Sequence, residues 1–174
     1  MAKTSVPHLY ALALGSNRPL SGRRTPARLL AEATACVAEL GEVHAVAPTI
    51  MTPPLGPSLR FYANSALLVA SPLEPEEMLT RLQQIERQLG RRRHRRWGAR
   101  SMDIDIILWS GGRWISRSLH IPHPAFRARA FVLRPLGTIA GHWRDPVSGR
   151  SVRHLHHQLQ KAVPAPRPRG CLHS

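Results

Sequence analysis

Apolar positions recur along this chain with two different periods, and the switches between them predict the order of its elements. Leu9–Leu14 is a short apolar run bounded by Pro7 and by Gly15-Ser16-Asn17, the pattern of a buried strand followed by a turn. Thr25-Pro26 then reads as an N-cap and first helical residue. Leu29, Leu30, Ala33, Cys36, Val37 and Leu40 follow at helical spacing, and Gly41 suits the C′ position that stops a helix. Val43–Met51 reads as a second strand, Thr52–Pro57 as a stiff proline loop, and Phe61–Ala70 as a third strand. Pro75 opens a second helix whose buried face is Met78, Leu79, Leu82, Ile85 and Leu89, with Gly90 as its stop. An arginine loop over 91–100 leads into a fourth strand, Met102–Trp109.

Strand, helix, strand, strand, helix, strand is the βαββαβ order of ferredoxin-like α+β folds, an antiparallel sheet with helices on one face. C-terminal additions follow. They comprise a strand near Phe131–Arg134, a turn over Asp145–Gly149 and a last helix over His154–Ala162. The expectation is a single domain over 1–163 with a flexible tail over 164–174.

Composition narrows this picture. Of 174 residues, 43% are apolar, which argues against disorder. No run reaches the roughly 20 apolar residues of a membrane span. Lys3 followed by Leu9–Gly15 faintly mimics a signal peptide, but Pro7 and His8 interrupt it. Two cysteines, Cys36 and Cys171, form neither a disulfide framework nor a metal spacing, so a cytoplasmic protein is expected. Cys36 lies on the apolar helix stripe as a core thiol.

Charge changes the picture more. The formal net charge is +15, yet residues 1–90 hold 8 basic and 7 acidic side chains while 91–174 hold 17 and 3. Nucleic acid, an anionic membrane surface or a polyphosphate ligand would each suit such an excess. Two of the three aspartates, Asp103 and Asp105, sit two apart in the fourth strand. Residues i and i+2 of a strand project to one face, so both carboxylates point together while Ile104 and Ile106 hold the strand in the core. Such a pair suits a shared divalent ion, and Mg²⁺ takes one or two carboxylates plus phosphate oxygens. The alternative is a pair of solvated aspartates on an exposed edge.

Immediately upstream, Arg91, Arg92, Arg93, Arg95, Arg96 and Arg100 bracket His94, Trp97 and Gly98. Guanidinium groups donate in pairs to phosphate, although most charge runs are only solvated. Tyr62 and Asn64, again i and i+2, would offer a ring and an amide to a flat heterocycle. His123 is framed by prolines in Ile121-Pro122-His123-Pro124, which fixes the backbone that aims it. His154, His156 and His157 read as the polar surface of a helix. Neither a dinucleotide fingerprint nor a P-loop is present.

Taken in order and spacing, these motifs resemble the 6-hydroxymethyl-7,8-dihydropterin pyrophosphokinase family of folate biosynthesis. The resemblance runs from about Leu9 to Ala140 and centres on the run from Arg96 to Ile107. Leu14–Asn17, Thr52–Pro57, Tyr62-x-Asn64, Ile121–Pro124 and Arg129–Leu133 support it. It implies MgATP as donor, a reduced pterin alcohol as acceptor and AMP as by-product. Asp103 and Asp105 would hold two Mg²⁺ ions on the triphosphate, and Arg91 and Arg100 would stabilise the transferring phosphates. Gln83, Glu86, Arg93, Trp97, Ile106, His123 and Arg129 would line the ATP site, with Trp97 on a closing loop. Tyr62 and Phe131 would sandwich the pterin, while Asn64 and the loop residues Thr52, Pro53 and Leu55 would bond its edge. Ser118 stands where some members carry a basic residue. The partners implied are small molecules, with no nucleic acid and no membrane, and the chain is expected to act as a monomer.

Two other readings compete. RNA-recognition domains share the element order, but they stack bases on strand aromatics, and aromatics are only 5% here. An inactive scaffold would have no use for the aspartate pair and the arginines.

Overall fold

The computed structural model describes residues 6–17, 25–53, 61–90 and 102–162. Strand β1 (His8–Ser16) is the centre of the sheet and pairs antiparallel on both sides, with β4 (Tyr62–Ser71) and with β5 (Asp103–Trp109). The predicted second strand is two pieces, β2 (Glu42–Val46) and β3 (Ile50–Thr52), and each pairs antiparallel with β4. Pro48 lies in the gap and has no N–H to give a ladder. The path across the sheet is β2-β4-β1-β5. Gly15 and Ser16, expected in a turn, extend β1 instead.

Helix α1 (Pro26–Ala38) starts as its sequence predicts, with the Thr25 side chain accepting from the Arg28 N–H at 3.4 Å. Gly41 does not cap it in a left-handed conformation. A Cβ there would lie 2.0 Å from the Ala70 carbonyl oxygen, so this glycine lets the chain pass against β4. Helix α2 (Pro75–Gln88) does end on a left-handed glycine, Gly90 at φ 90°.

Helices α1 and α2 cover one face of the sheet. Their Leu29, Leu30, Val37, Met78, Leu82 and Ile85 pack on Leu12, Leu14, Leu67, Ile104 and Ile106. The other face is not bare, contrary to the expectation of helices on one side. Helix α3 (Ala130–Ala140) and helix α4 (Val152–Ala162) lie over it, packing Val132, Leu133, Leu136, Val152 and Leu155 on Ala11, Ala13, Ala66 and Ile107. The strand expected at Phe131–Arg134 is therefore the first half of α3. Burial of its apolar face outweighs Pro135 inside the helix, where Pro removes one backbone hydrogen bond.

A hairpin of two short strands, β6 (Trp114–Ile115) and β7 (His120–Ile121), leads back towards the sheet. Glu76, in the first turn of α2, fastens it by accepting from Trp114 Nε1 at 3.3 Å, from Ser116 Oγ and from Ser118 Oγ at 2.8 Å. Hydrogen bonds from Ser116 and Ser118 hold the Glu76 carboxyl below its ordinary range. A cis Ile121–Pro122 bond and a 3₁₀ turn at Phe126–Ala128 then connect β7 to α3.

β5 contains a bulge. Ala11 pairs with Leu108 and Leu12 with Ile106, which leaves Ile107 as an extra residue. Ile104 and Ile106 face α1 and α2, whereas Ile107 and Leu108 both face α3 and α4. The Ile107 carbonyl accepts the His123 N–H at 3.0 Å.

Candidate active site

Strand parity decides which side chains share a surface. Ile104 and Ile106 point to α1 and α2, so Asp103 and Asp105 point to the α3 side. On β4, Ala63 and Leu67 face α1 and α2 while Ala66 faces α3, which sends Tyr62 and Asn64 to the α3 side as well. Both predicted pairs therefore lie on one face.

The register aligns them. Gly15 of β1 is the partner of Asn64 on one side and of Asp103 on the other. One row thus reads Asn64, Gly15, Asp103, and the next reads Ala66, Ala13, Asp105. With strands about 4.8 Å apart, the amide and the carboxylate rise from backbones roughly 10 Å apart. Between them the floor is glycine and alanine. Gly15 was legible only as a turn residue; its signal is the smallest residue following a strand's apolar run.

Around the amide, Asn64 is buried and its Nδ2 donates to Thr52 Oγ1 at 2.8 Å and to the Tyr62 carbonyl at 3.5 Å. Thr52 is the strand partner of Tyr62, which is half-buried. Pro53 follows, exposed. Leu55 lies outside the described residues, as do Arg91, Arg93, Trp97 and Arg100.

Around the carboxylates, Asp105 Oδ2 is 3.8 Å from His123 Nε2 and 3.7 Å from an Arg129 guanidinium nitrogen. Both are ion-pair distances longer than a direct hydrogen bond. The His123 Nδ1 accepts the Ala125 N–H at 3.2 Å, so a neutral ring carries its proton on Nε2, the nitrogen turned to Asp105. The Asp105 side chain keeps 32% of its surface exposed. Arg129 also stands over the Phe131 ring, 5.8 Å from its centroid, and so links the carboxylate to the half-buried aromatic at the start of α3.

Three other expected residues are placed differently from one another. Gln83 is on the exposed side of α2. Glu86 is 3% exposed, and its Oε1 accepts the Ile104 N–H at 2.8 Å, which fastens α2 to β5 behind the two aspartates. The Ile106 side chain is in the α1–α2 core, so only its backbone can face a ligand. Ser118 Oγ donates to Glu76 at 2.8 Å. His154, His156 and His157 lie on α4, remote in sequence and element from this row.

The sequence reading missed Asp145. This third aspartate is fully buried and accepts two 2.7 Å bonds from Arg127 Nε and Nη2, with further bonds from the Val147 and Ser148 N–H groups and Ser148 Oγ. Burial alone would raise its carboxyl, but the hydrogen bonds from Arg127, Ser148 and Val147, with the Arg127 charge, hold it well below the usual carboxylate range.

No group of three or more His, Cys, Asp or Glu able to hold a metal occurs among the described residues. Two carboxylates on one face fit a hard divalent ion whose remaining ligands come from phosphate and water. The arrangement can hold an anion-bound cation at one end and a flat, amide-reading ligand at the other. Among the described residues no helix is long and apolar enough to cross a membrane.

A family model described as 7,8-dihydro-6-hydroxymethylpterin-pyrophosphokinase (HPPK) matches residues 11–141. The chain is 36% identical over 132 residues to the 2-amino-4-hydroxy-6-hydroxymethyldihydropteridine pyrophosphokinase of Haemophilus influenzae, covering 74% of this chain and 79% of that protein. It is 38% identical over 104 residues to the protein of that name from Synechocystis, covering 60% of this chain and 53% of the relative. With the mitochondrial folate synthesis bifunctional protein of Arabidopsis thaliana it shares 34% over 154 residues, 87% of this chain but 26% of that one. The match thus spans about half of the Synechocystis protein and about a quarter of the Arabidopsis protein. In fold, the chain is similar to a crystal structure of HPPK-DHPS in complex with substrates, with TM-score 0.68 and 12% identity, over 90% of this chain and 44% of that one. The Plasmodium falciparum HPPK-DHPS gives TM-score 0.64 at 14% identity, over 89% and 42%.

Proposed function

Because the chain belongs to the 7,8-dihydro-6-hydroxymethylpterin-pyrophosphokinase family, we propose that it transfers pyrophosphate from ATP to 6-hydroxymethyl-7,8-dihydropterin, releasing AMP. The observation that carries this reading is the row across the sheet, with Asn64 and Asp103 flanking Gly15. An aromatic and amide pocket stands at one side and a carboxylate pair at the other, on one surface, with a floor of small residues between.

In this reading Asp103 and Asp105 would hold Mg²⁺, two ions with the nucleotide, and the metal would supply neutralisation of the triphosphate charge. Asn64, Thr52 and the Thr52–Leu55 backbone orient the pterin edge, and Tyr62 and Phe131 cover its faces. Arg129 and His123 flank Asp105 and contact the nucleotide, together with Gln83, Arg93, Trp97 and the Ile106 backbone. Arg100, three residues before Asp103 in sequence, and Arg91 neutralise the transferring phosphates. Glu86, expected at the ATP site, also fixes β5 by accepting the Ile104 N–H. The pterin hydroxyl oxygen attacks the β-phosphorus and the α–β bridging bond breaks, so the protein's contribution is alignment and charge. Residues 1–163 act as one ferredoxin-like domain, a class supported by the β2-β4-β1-β5 order, with 164–174 as its tail. A cytoplasmic monomer completes the reading, supported by the two-cysteine composition.

The test is a product assay. With MgATP and the reduced pterin the protein should release AMP in step with pterin consumption. ADP as the product, or no pterin-dependent turnover under reducing conditions, overturns the proposal.

A further inference from the structure

The segment that carries His123 and Arg129 to Asp105 has little of its own to hold it. It leaves β7 at Ile121, winds through a single 3₁₀ turn at Phe126–Ala128 and enters α3 at Ala130. Local backbone bonds give it shape. The Phe126 N–H donates to the His123 carbonyl and the Arg129 N–H to that of Phe126, each at 3.2 Å. Such bonds fix the turn but do not fix where the turn sits against the sheet.

The His123 N–H bond to the Ile107 carbonyl of β5, at 3.0 Å, ties the start of the segment to the sheet. Two further anchors hold the turn that follows. Phe126 is fully buried against the α3–α4 core. Arg127, next to it, lays its guanidinium 4.9 Å from the Phe126 ring centroid and donates the two-pronged pair of bonds to Asp145. Asp145 is itself held on all sides. It has no exposed surface, its N–H donates to the Arg150 carbonyl at 2.9 Å, and its carbonyl accepts from the Gly149 N–H at 2.8 Å. The turn it organises joins α3 to α4. A planar fork on a carboxylate fixes orientation as well as distance, so the 3₁₀ turn is locked in rotation about its own axis. Arg129 follows that turn directly, and His123 lies three residues before it.

We propose that Asp145, through Arg127, is a positioning residue for the nucleotide end of the site. It touches neither substrate and acts by holding the 3₁₀ turn at the rotation that turns His123 Nε2 and the Arg129 guanidinium to Asp105. This inference rests on the reading that those two side chains contact ATP, while the pterin pocket takes Thr52, Tyr62 and Asn64 from β3 and β4, and its Phe131 is held by α3, beyond the 3₁₀ turn. Loss of the clamp should therefore fall mainly on ATP.

The test compares Arg127→Gln and Asp145→Asn with Arg127→Lys, which keeps the charge but not the fork, and with Arg144→Gln. Arg144 bonds the same turn at the Gly149 carbonyl, at 2.9 Å, without touching Arg127. The readouts are KM for ATP and for the pterin from AMP release, and the ¹⁵N shifts of the His123 ring, which report its Nε2–H form without turnover. The clamp variants should raise KM for ATP about tenfold, leave KM for the pterin within about twofold, and alter the His123 shifts, with Arg127→Lys giving a smaller effect in the same direction. Arg144→Gln should change none of these. Equal weakening of both substrates, an equal effect in Arg144→Gln, or unchanged ATP affinity with unchanged His123 shifts overturns the proposal. If the wild-type protein has no pterin-dependent turnover, the proposed function falls. The His123 shifts then decide alone, a change in the clamp variants supporting the clamp and constancy overturning it. Should Asp145→Asn fail to fold, the Arg127 pair carries the same comparison.

Discussion

Asp145 and Asp105 are one residue type in opposite settings. Asp145 is sealed, with bonds from Arg127, the Val147 N–H and Ser148 on its two oxygens. Asp105 is a third exposed, and among the described residues Arg129 and His123 stand 3.7 and 3.8 Å from its Oδ2. A carboxylate met at close range by a fork and backbone donors has little capacity left for a ligand. One that keeps a third of its surface exposed can still meet a ligand. The lesson is that a pair of cationic neighbours does not make a salt bridge structural; distance and closure do.

The sharpest way to break this contrast is Asp105→Asn. If Asp105 holds Mg²⁺, turnover should fall by about 10³-fold with the melting temperature nearly unchanged, read by AMP release and thermal denaturation. Retained Mg²⁺-dependent turnover would remove Asp105 from the site. Asp145→Asn should do the reverse to stability. It breaks a buried pair whose Arg127 partner is 32% exposed, so a loss of about 2–3 kcal/mol is expected by urea unfolding, below the range for fully buried pairs.

Acidity separates the two further. The folded carboxyl of Asp145 lies below its unfolded value, so its stabilisation is fully present above about pH 4 and lost as pH falls below that. The stability gap between wild type and Asp145→Asn should therefore narrow between about pH 4 and pH 2. A gap that stays constant would show that the charge of Asp145 is not what stabilises.

Smaller effects sharpen the site itself. In Gly15→Ala the new Cβ would stand 3.4 Å from Asn64 Oδ1, an ordinary contact, so the strand should tolerate it. The methyl would still rise from the floor between the two half-sites, and KM should increase by about tenfold, measured for both substrates. An unchanged KM would mean that no ligand crosses Gly15. Glu86→Ala should leave the Ile104 N–H without its acceptor and cost about 1–3 kcal/mol, whereas Glu86→Gln keeps an oxygen there and should cost less than half as much.

What the sequence made legible follows from what periodicity can report. Thr25-Pro26 and Gly90 have local causes, and both do what their residue types predict. The pairing of Asp103 with Asp105, and of Tyr62 with Asn64, on one face follows from a period of two. Sequence alone could not say that Gly15 joins the pairs, because register between distant strands is a tertiary fact. Phe131–Arg134 was read as extended because four apolar or bulky residues before a proline carry no helical period of their own. Only the sheet face beneath them makes a helix of that segment. Gly41 looked like a cap and proved to be a clearance, a distinction that depends on Ala70. Asp145 had no motif at all.

The bulge at Ile107 has a consequence for how this strand can change. One extra residue shifts the phase of β5, so its two ends answer to different neighbours: Trp109 packs with Tyr10 and Trp114 on the α1–α2 side, their ring centroids 6.0 and 5.8 Å from its own. Deleting Ile107 would straighten the strand without reversing a side chain, since Asp103, Ile104, Asp105, Ile106, Leu108 and Trp109 would then alternate strictly on the sides they already face.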